Sequence, residues 1–579
     1  MRFALVIITV LTLLAADAAV AEVRVSEIFS SDMVLQRDRS VAVWGRADAG
    51  ENVTVAIAGQ SHVTTARDGR WKITLEPLEA GGPHEMKVTG TNTIVFNNVL
   101  VGDVWLCGGQ SNMDYDMSVY MRWPGEIGAA YTSIATNSPT YRNLHVVLMK
   151  KAAALPDQTD DVPIEDDDVF QGKWQTCSQQ VTARMSATGF VFAQRLQAHL
   201  EIPIGLIDAN KGGSPVHTWY APESLRILDA PRDSMRNMYN AMIRTYRDFP
   251  IRGVIWYQGE SNALTVESSL KYAAEFKAMI RGWRHDFNDP EMPFLFVQLA
   301  AYERNPFQHG VTYPILRDSQ TAALELKQTG MAVAIDLGDP RNIHPPYKLA
   351  LSDRLVLAAR KVAYGEDVVS GGPTFKSFRV EGDRAVVTFA DAGSGLVARD
   401  VTLAGKRLTT DRLVGFQIAG SDEQFLEAEA IIDGDTVLVN SPAVKAPVAV
   451  RYAWRGFPYA NLYNQEGLPA SPFRTDNFEI VMNQEHVDLY NRRLYLPPEL
   501  SRTQMTIEQR AQVAAIHDRH VTKEVEARIL ELRKAYEEVL KTAGRSSPAY
   551  RKAVGAYNDY LNPVIKRIGD EIETAKIFD

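Results

Sequence analysis

At 579 residues the chain exceeds what one hydrophobic core can hold, and three or four domains are expected. Its 45% hydrophobic and 23% charged content is that of an ordinary globular protein and excludes a disordered or fibrous chain. A formal net charge of -9 provides no electrostatic footprint for nucleic acid or an anionic membrane, and it weighs against a polyanionic sugar.

The chain opens on Met1-Arg2, an apolar run from Phe3 to Ala16, and Ala19-Val20-Ala21 before Glu22. A basic start, a short apolar stretch and an A-x-A end describe a secretory signal peptide over residues 1–21, hence a secreted or periplasmic protein. The run is too short to span a bilayer comfortably, and no later stretch reads as a membrane span. From Val23 to about Val101, short alternating runs such as Val53-Thr54-Val55-Ala56-Ile57 are punctuated by Gly45, Gly50, Gly59 and Gly69. That spacing predicts a small β-sandwich over residues 22–98.

Near residue 101 the texture changes. Val101–Leu106, Ile204–Ile207, Gly253–Trp256, Phe294–Leu299 and Met331–Ile335 are apolar runs with little alternation, as in strands buried on both faces. Amphipathic stretches at Phe190–Leu200, Met235–Tyr246 and Tyr272–Trp283 separate them. The alternation predicts an α/β domain over residues 99–368, a parallel sheet with helices on both faces. Ligands in such sheets bind beyond the carboxyl ends of the strands. Short strands return from Gly371 to Phe478, a C-terminal β domain over residues 369–483. In the helical tail, residues 484–579, Thr506 and Gln509 form a candidate capping box. Val525, Ile529, Leu532, Tyr536 and Val539, then Val554, Tyr557, Leu561, Val564 and Ile568, predict a two-helix hairpin. Such narrow seams need a partner: each other, the β domain, or a second subunit through self-association.

Four strand ends carry residues fit for chemistry. The first runs into Cys107-Gly108-Gly109-Gln110-Ser111-Asn112-Met113. A serine on a tight turn at the end of a buried strand is a candidate nucleophile, though glycine and serine also make ordinary turns. The second ends at Lys211-Gly212-Gly213-Ser214, where a glycine N–H can approach an oxyanion or simply close a turn. The third is Trp256-Tyr257-Gln258-Gly259-Glu260-Ser261-Asn262. The Gln258 amide can donate without titrating, and Glu260 suits catalysis and loop structure equally. The fourth, Ile335-Asp336-Leu337-Gly338-Asp339, leads to Ile343-His344-Pro345. Of eleven histidines, His344 alone follows a buried strand on the catalytic edge, and imidazole titrates near working pH. The two cysteines, Cys107 and Cys177, suit a disulfide or two buried thiols. No C-x-x-C or H-E-x-x-H spacing is present, so no metal or cofactor is expected.

The four pieces together resemble the sialate O-acetylesterase family of the SGNH hydrolase superfamily. Met33-Val34-Leu35-Gln36, Val43-Trp44-Gly45, Gly69-Arg70-Trp71, the run Pro293-Phe294 to Leu299, Leu316-Arg317 with Gln320, and Gly371-Gly372-Pro373 extend the resemblance across residues 25 to 480. It implies an SGNH-type fold and a serine esterase acting on acetylated carbohydrate, either sialic acid or an acetylated polysaccharide. It also implies Ser111 as nucleophile, His344 as base, and Gly213 and Gln258 beside the Ser111 N–H in the oxyanion hole. Many relatives place an acid three or two residues before the histidine, where this chain has Arg341 and Asn342. Asp336 is the candidate third member, with Asp339 or a backbone carbonyl as alternatives. His217-Thr218-Trp219-Tyr220 offers aromatic groups for a sugar face or for the core. The rival reading is a non-catalytic carbohydrate-binding protein with a degenerate hydrolase core.

Overall fold

A computed structural model of the chain describes residues 22–149, 172–231 and 237–578, apart from 404–405, 410, 492–493, 498–499, 501–504 and 544–546. The expected signal peptide lies outside the described residues.

One strand of 17 residues, β1 (Thr93–Gly109), organises the first two thirds of the chain. Its first half pairs antiparallel with Gly81–Thr89 of the N-terminal β region. From Val99 onward every residue is buried, and Leu100–Gly102 pair in parallel with Val34–Gln36. The boundary expected at 98/99 therefore falls inside a single continuous strand.

The second half of β1 lies at the centre of a parallel sheet. Its other strands are β2 (Leu144–Leu148), β3 (Trp174–Thr176), β4 (Ile204–Asn210), β5 (Gly253–Tyr257), β6 (Phe294–Gln298) and β7 (Thr329–Val333). The order is β3-β2-β4-β1-β5-β6-β7, antiparallel only at β3 with β2. β4, β5 and β6 are buried at every residue, which is why they read as unbroken apolar runs: both faces are covered. The outer strands β2 and β3 are additions to the five expected. From β1 the chain builds one side of the sheet and then the other, so the strand order reverses at β1. Its carboxyl end is a topological switch point, where open α/β sheets form their clefts.

The C-terminal β region contains two four-stranded antiparallel sheets over a core that includes Phe416, Val437, Val439, Val450, Tyr452 and Phe473. Arg317, fully buried, fastens this region to the parallel sheet. Its guanidinium donates to the carbonyls of Leu299 and Ala300, just past β6, at 2.9 Å each, and to those of Arg455 and Gly456 at 2.8 Å each.

From Asn477 the chain forms a separate unit together with residues 264–266 and 303–312. The capping box of Thr506 and Gln509 is present, but the expected two-helix hairpin is a three-helix arrangement after residue 506: Ile507–His520, Lys523–Ala543 and Pro548–Thr574. The first helix stops at Val521, which leaves helical geometry, and the Thr522 hydroxyl accepts the Val525 N–H to restart the chain. Val513, Ile516, Ile529, Leu561, Val564 and Ile568 meet in one core, so the seams cover one another. No helix among the described residues is long and apolar enough to cross a membrane. Cys107 and Cys177 are buried, unpaired thiols, donating to the Asp208 carboxylate and the Leu144 carbonyl.

Replacing Arg317 with Met strands the four carbonyls it serves. The expected loss in unfolding free energy, measured by urea denaturation, exceeds the roughly 1 kcal/mol typical of a point substitution.

Candidate active site

Ser111 opens a helix of four residues, α1 (Ser111–Asp114), immediately after β1. The turn into it needs Gly109, whose φ of 139° is paired with a close approach: an added Cβ would lie 2.1 Å from the Tyr257 carbonyl oxygen. The backbone thus crosses β5 where only glycine fits.

His344 reaches Ser111 from the loop after β7, its Nε2 lying 2.9 Å from the serine Oγ. That loop is built from side chain–backbone turns. Asp339 Oδ1 accepts the N–H groups of Arg341 and Asn342 at 2.7 and 2.9 Å, and Asn342 Oδ1 accepts the His344 N–H at 3.0 Å. Tyr115 packs on the imidazole, centroid to centroid 4.2 Å. Burial, and then the Lys348 cation, bring the His344 pKa down to about 4, so at neutral pH the ring is unprotonated and able to accept a proton.

The other expected members are placed differently. Both carboxylate oxygens of Asp336 are bound by Arg354 at 2.7 Å, and the Tyr463 hydroxyl donates to Oδ2 at 3.0 Å. Asp336 thus ties α2 (Lys348–Val362) and the C-terminal β region to the end of β7, and it makes no hydrogen bond to His344. No carboxylate among the described residues bonds to the second ring nitrogen. Gln258, with no exposed surface, is also diverted. Its Nε2 donates to Gln110 Oε1 at 3.1 Å, the Ser214 carbonyl at 3.2 Å and Asn262 Oδ1 at 2.8 Å, while the Tyr272 hydroxyl donates to its Oε1 at 2.9 Å. Both donors are therefore committed to holding loops, and none is left for an oxyanion.

The Gly212-Gly213 turn does lie beside the serine. A Cβ on Gly212 would meet Ser111 Cβ at 3.7 Å, and the Gly212 N–H donates to Asp114 Oδ2 at 2.8 Å. Gly213 adopts φ 75° with open space around it. On the third loop, Gln110 Oε1 accepts three donors and Asn262 Oδ1 accepts two. Trp219 and Tyr220 are buried, Trp219 against Trp256 and Trp283, so the aromatic pair belongs to the core and presents no face to a sugar.

Sequence reasoning missed a buried polar cluster behind the serine. Asn112 Nδ2 donates to Glu260 Oε1 at 2.5 Å and to the Ile343 carbonyl at 2.9 Å, and Lys348 Nζ donates to Asn112 Oδ1 at 2.5 Å. Burial raises the Glu260 pKa and lowers that of Lys348 to about 7.

The assignment of Asp336 to architecture has a measurable consequence. Asp336→Ala leaves a largely buried guanidinium unpaired and should cost about 3–5 kcal/mol of stability. Turnover per folded molecule should stay within about tenfold of wild type, as determined by parallel denaturation and active-site titration.

Comparison with known proteins identifies the family. A family model described as "Carbohydrate esterase, sialic acid-specific acetylesterase" matches residues 101–348, the interval that holds the sheet, Ser111 and His344. The sialate O-acetylesterase of Rattus norvegicus is 30% identical, with 78% of this chain and 94% of that protein covered; the Homo sapiens enzyme is 29% identical, with 78% and 92% covered. The crystal structure of a carbohydrate acetylesterase from Xanthomonas citri superposes with a TM-score of 0.69 at 36% identity, covering 79% of this chain and all of that one. The chain belongs to the sialate O-acetylesterase family and is a carbohydrate O-acetylesterase.

Proposed function

We propose that the parallel sheet is of the SGNH type and that the chain removes O-acetyl groups from sialic acid or an acetylated polysaccharide through a serine acyl-enzyme. One observation carries the mechanism: Ser111 Oγ and His344 Nε2 lie 2.9 Å apart at the carboxyl end of the central strand. His344 takes the Ser111 proton as the alkoxide attacks the acetyl carbonyl, then returns it to the departing sugar hydroxyl. The same imidazole activates the water that releases acetate.

The oxyanion is met by the Ser111 N–H, at the start of α1, and by the Gly213 N–H, in the turn beside the serine. Asn262 takes the place expected of Gln258. Its Oδ1 is fastened by the Val216 N–H and by Gln258, which leaves its NH2 group as a donor. Backbone and amide donors of this kind are each worth about 10²–10³ in turnover. Ser111 and His344 act as a dyad, with the imidazole held by Tyr115 and the Asn342 turn in place of a carboxylate.

The relatives named for sialate and the Xanthomonas citri protein named for carbohydrate support one chemistry with two classes of sugar. Acetate release from O-acetylated sialic acid and from acetylated polysaccharide, measured side by side, chooses between them. The N-terminal apolar run supports export to a secreted or periplasmic location, and the tail is a candidate for self-association.

Ser111→Ala and His344→Ala should each remove p-nitrophenyl acetate turnover by about three orders of magnitude or more with an unchanged thermal midpoint. Activity within about tenfold of wild type for either would sink the assignment. Asp339→Asn keeps the turn-forming oxygen and should leave turnover nearly intact. The pH profile follows from the His344 pKa: the neutral imidazole is the active form, and it persists down to about pH 4. The acid limb of kcat/KM should therefore fall well below the usual histidine value; a limb centred near 6.5 contradicts the buried, carboxylate-free base.

A further inference from the structure

Asn112 and Lys348 take part in none of the bond-making steps above, yet they join the two halves of the dyad. Asn112 follows the nucleophile and Ile343 precedes the base; the Asn112 amide donates to the Ile343 carbonyl at 2.9 Å. The same Nδ2 donates to Glu260 Oε1 at 2.5 Å, and Oδ1 accepts from Lys348 Nζ at 2.5 Å. Both ends of the amide are thus occupied, so it cannot flip or swing without breaking a bond to a charge.

All three side chains are buried: Asn112 is 1% exposed, Lys348 1% and Glu260 7%. Lys348 Nζ also lies over the Tyr257 ring, 5.0 Å from its centroid. Its backbone N–H donates to the Tyr131 hydroxyl at 3.0 Å, and that hydroxyl donates to the Pro346 carbonyl at 2.8 Å. The segment from Ile343 to Lys348 is therefore pinned on both sides of His344.

This arrangement is a poor way to gain stability. Glu260 Oε2 is buried without a hydrogen-bond partner, and burial works against the charged forms of both Glu260 and Lys348. Apolar residues of similar volume commonly match or exceed a buried ion pair in stability. A costly polar cluster directly behind a reacting pair points to a positional role.

We propose that Lys348 and Glu260 are positioning residues that lock the Asn112 amide from opposite ends, and that Asn112 thereby sets the Ser111–His344 distance. The inference rests on the reading of Ser111 and His344 as the reacting pair. The cluster is buried and acts through the reacting pair, so its loss should act on turnover and leave binding alone.

The test uses the full chain and two variants, Lys348→Met/Glu260→Gln, which removes both buried charges, and Asn112→Ala. Each should lower kcat by about a hundredfold, the loss that a misplacement of about 1 Å brings, with KM unchanged. Stability to urea should hold or rise in the double variant, whereas a purely structural role lowers it. Combining all three substitutions should do no more harm than Asn112→Ala alone, because Lys348 and Glu260 act through that amide. Labelling by diisopropyl fluorophosphate, with the modified peptide located by mass spectrometry, separates the two levels of the argument. A label on Ser111 in wild type and a slowed rate in both variants supports the clamp. A label on Ser111 at equal rates, or kcat within about twofold of wild type in either folded variant, overturns the clamp alone. A label on another residue overturns the clamp together with the reading beneath it. Should the double variant fail to fold, the Asn112→Ala rates decide the question.

Discussion

The constraint on which the catalytic half depends is the path of β1. A strand that begins in the N-terminal β region and continues, without a break, into the centre of the parallel sheet leaves little freedom in where it ends. Gly109 must cross the Tyr257 carbonyl too closely for any side chain, so the turn that follows is steered before Ser111 is reached. Neighbours β4 and β5 flank β1 in parallel, and their ends deliver the Gly212-Gly213 turn and the Gln258–Asn262 loop to the same edge. The geometry of the site is therefore inherited from sheet register, with side chains making the final adjustment.

That adjustment consumes most of the polar groups at this edge. Gln258, Gln110 and Asn262 bond chiefly to one another and to neighbouring backbone. A buried amide left unsatisfied costs about as much as a lost hydrogen bond, so loops meeting at a sheet edge are held by pairing their amides. Asp336 answers the same demand past the end of β7, joining that strand, α2 and the C-terminal β region through Arg354 and Tyr463. A carboxylate at a strand end is as useful for closing an interface as for orienting a histidine, and only the position of Arg354 distinguishes the two uses.

Much of this was legible in the amino-acid sequence, and the parts that were not share a cause. Unbroken apolar runs marked β1, β4, β5, β6 and β7 because strands covered on both faces have no polar side to show. β2 and β3 are short and lie at the margin, and β2 carries His145, whose ring is bound by the Asp32 carbonyl at 2.7 Å; local pattern cannot anticipate a partner 113 residues away. Ser111 and His344 were readable from their places after strands. Gln258 and Asp336 had equally good places, and their diversion depends on tertiary neighbours. One further signal lies in the sequence itself: Lys348, Leu351, Ser352, Leu355, Val356 and Ala359 form the buried stripe of α2. A lysine on the core-facing stripe of an amphipathic helix, four residues after the base, is out of place unless something buried needs its charge.

The charge balance at the site follows from these placements. On the proposed mechanism, His344 becomes an imidazolium with no carboxylate beside it to lower the cost. The ring is half-buried beside Lys348, and both oppose protonation, so in that mechanism a proton taken from Ser111 would be held weakly and passed on readily to the leaving sugar oxygen. Glu260, buried on the far side of Asn112, in turn favours the charged form of Lys348 against its burial. On the proposed clamp, the amide that positions the pair also lies between Glu260 and Lys348, the buried charges behind the serine, so spacing and charge at the site belong to one buried cluster.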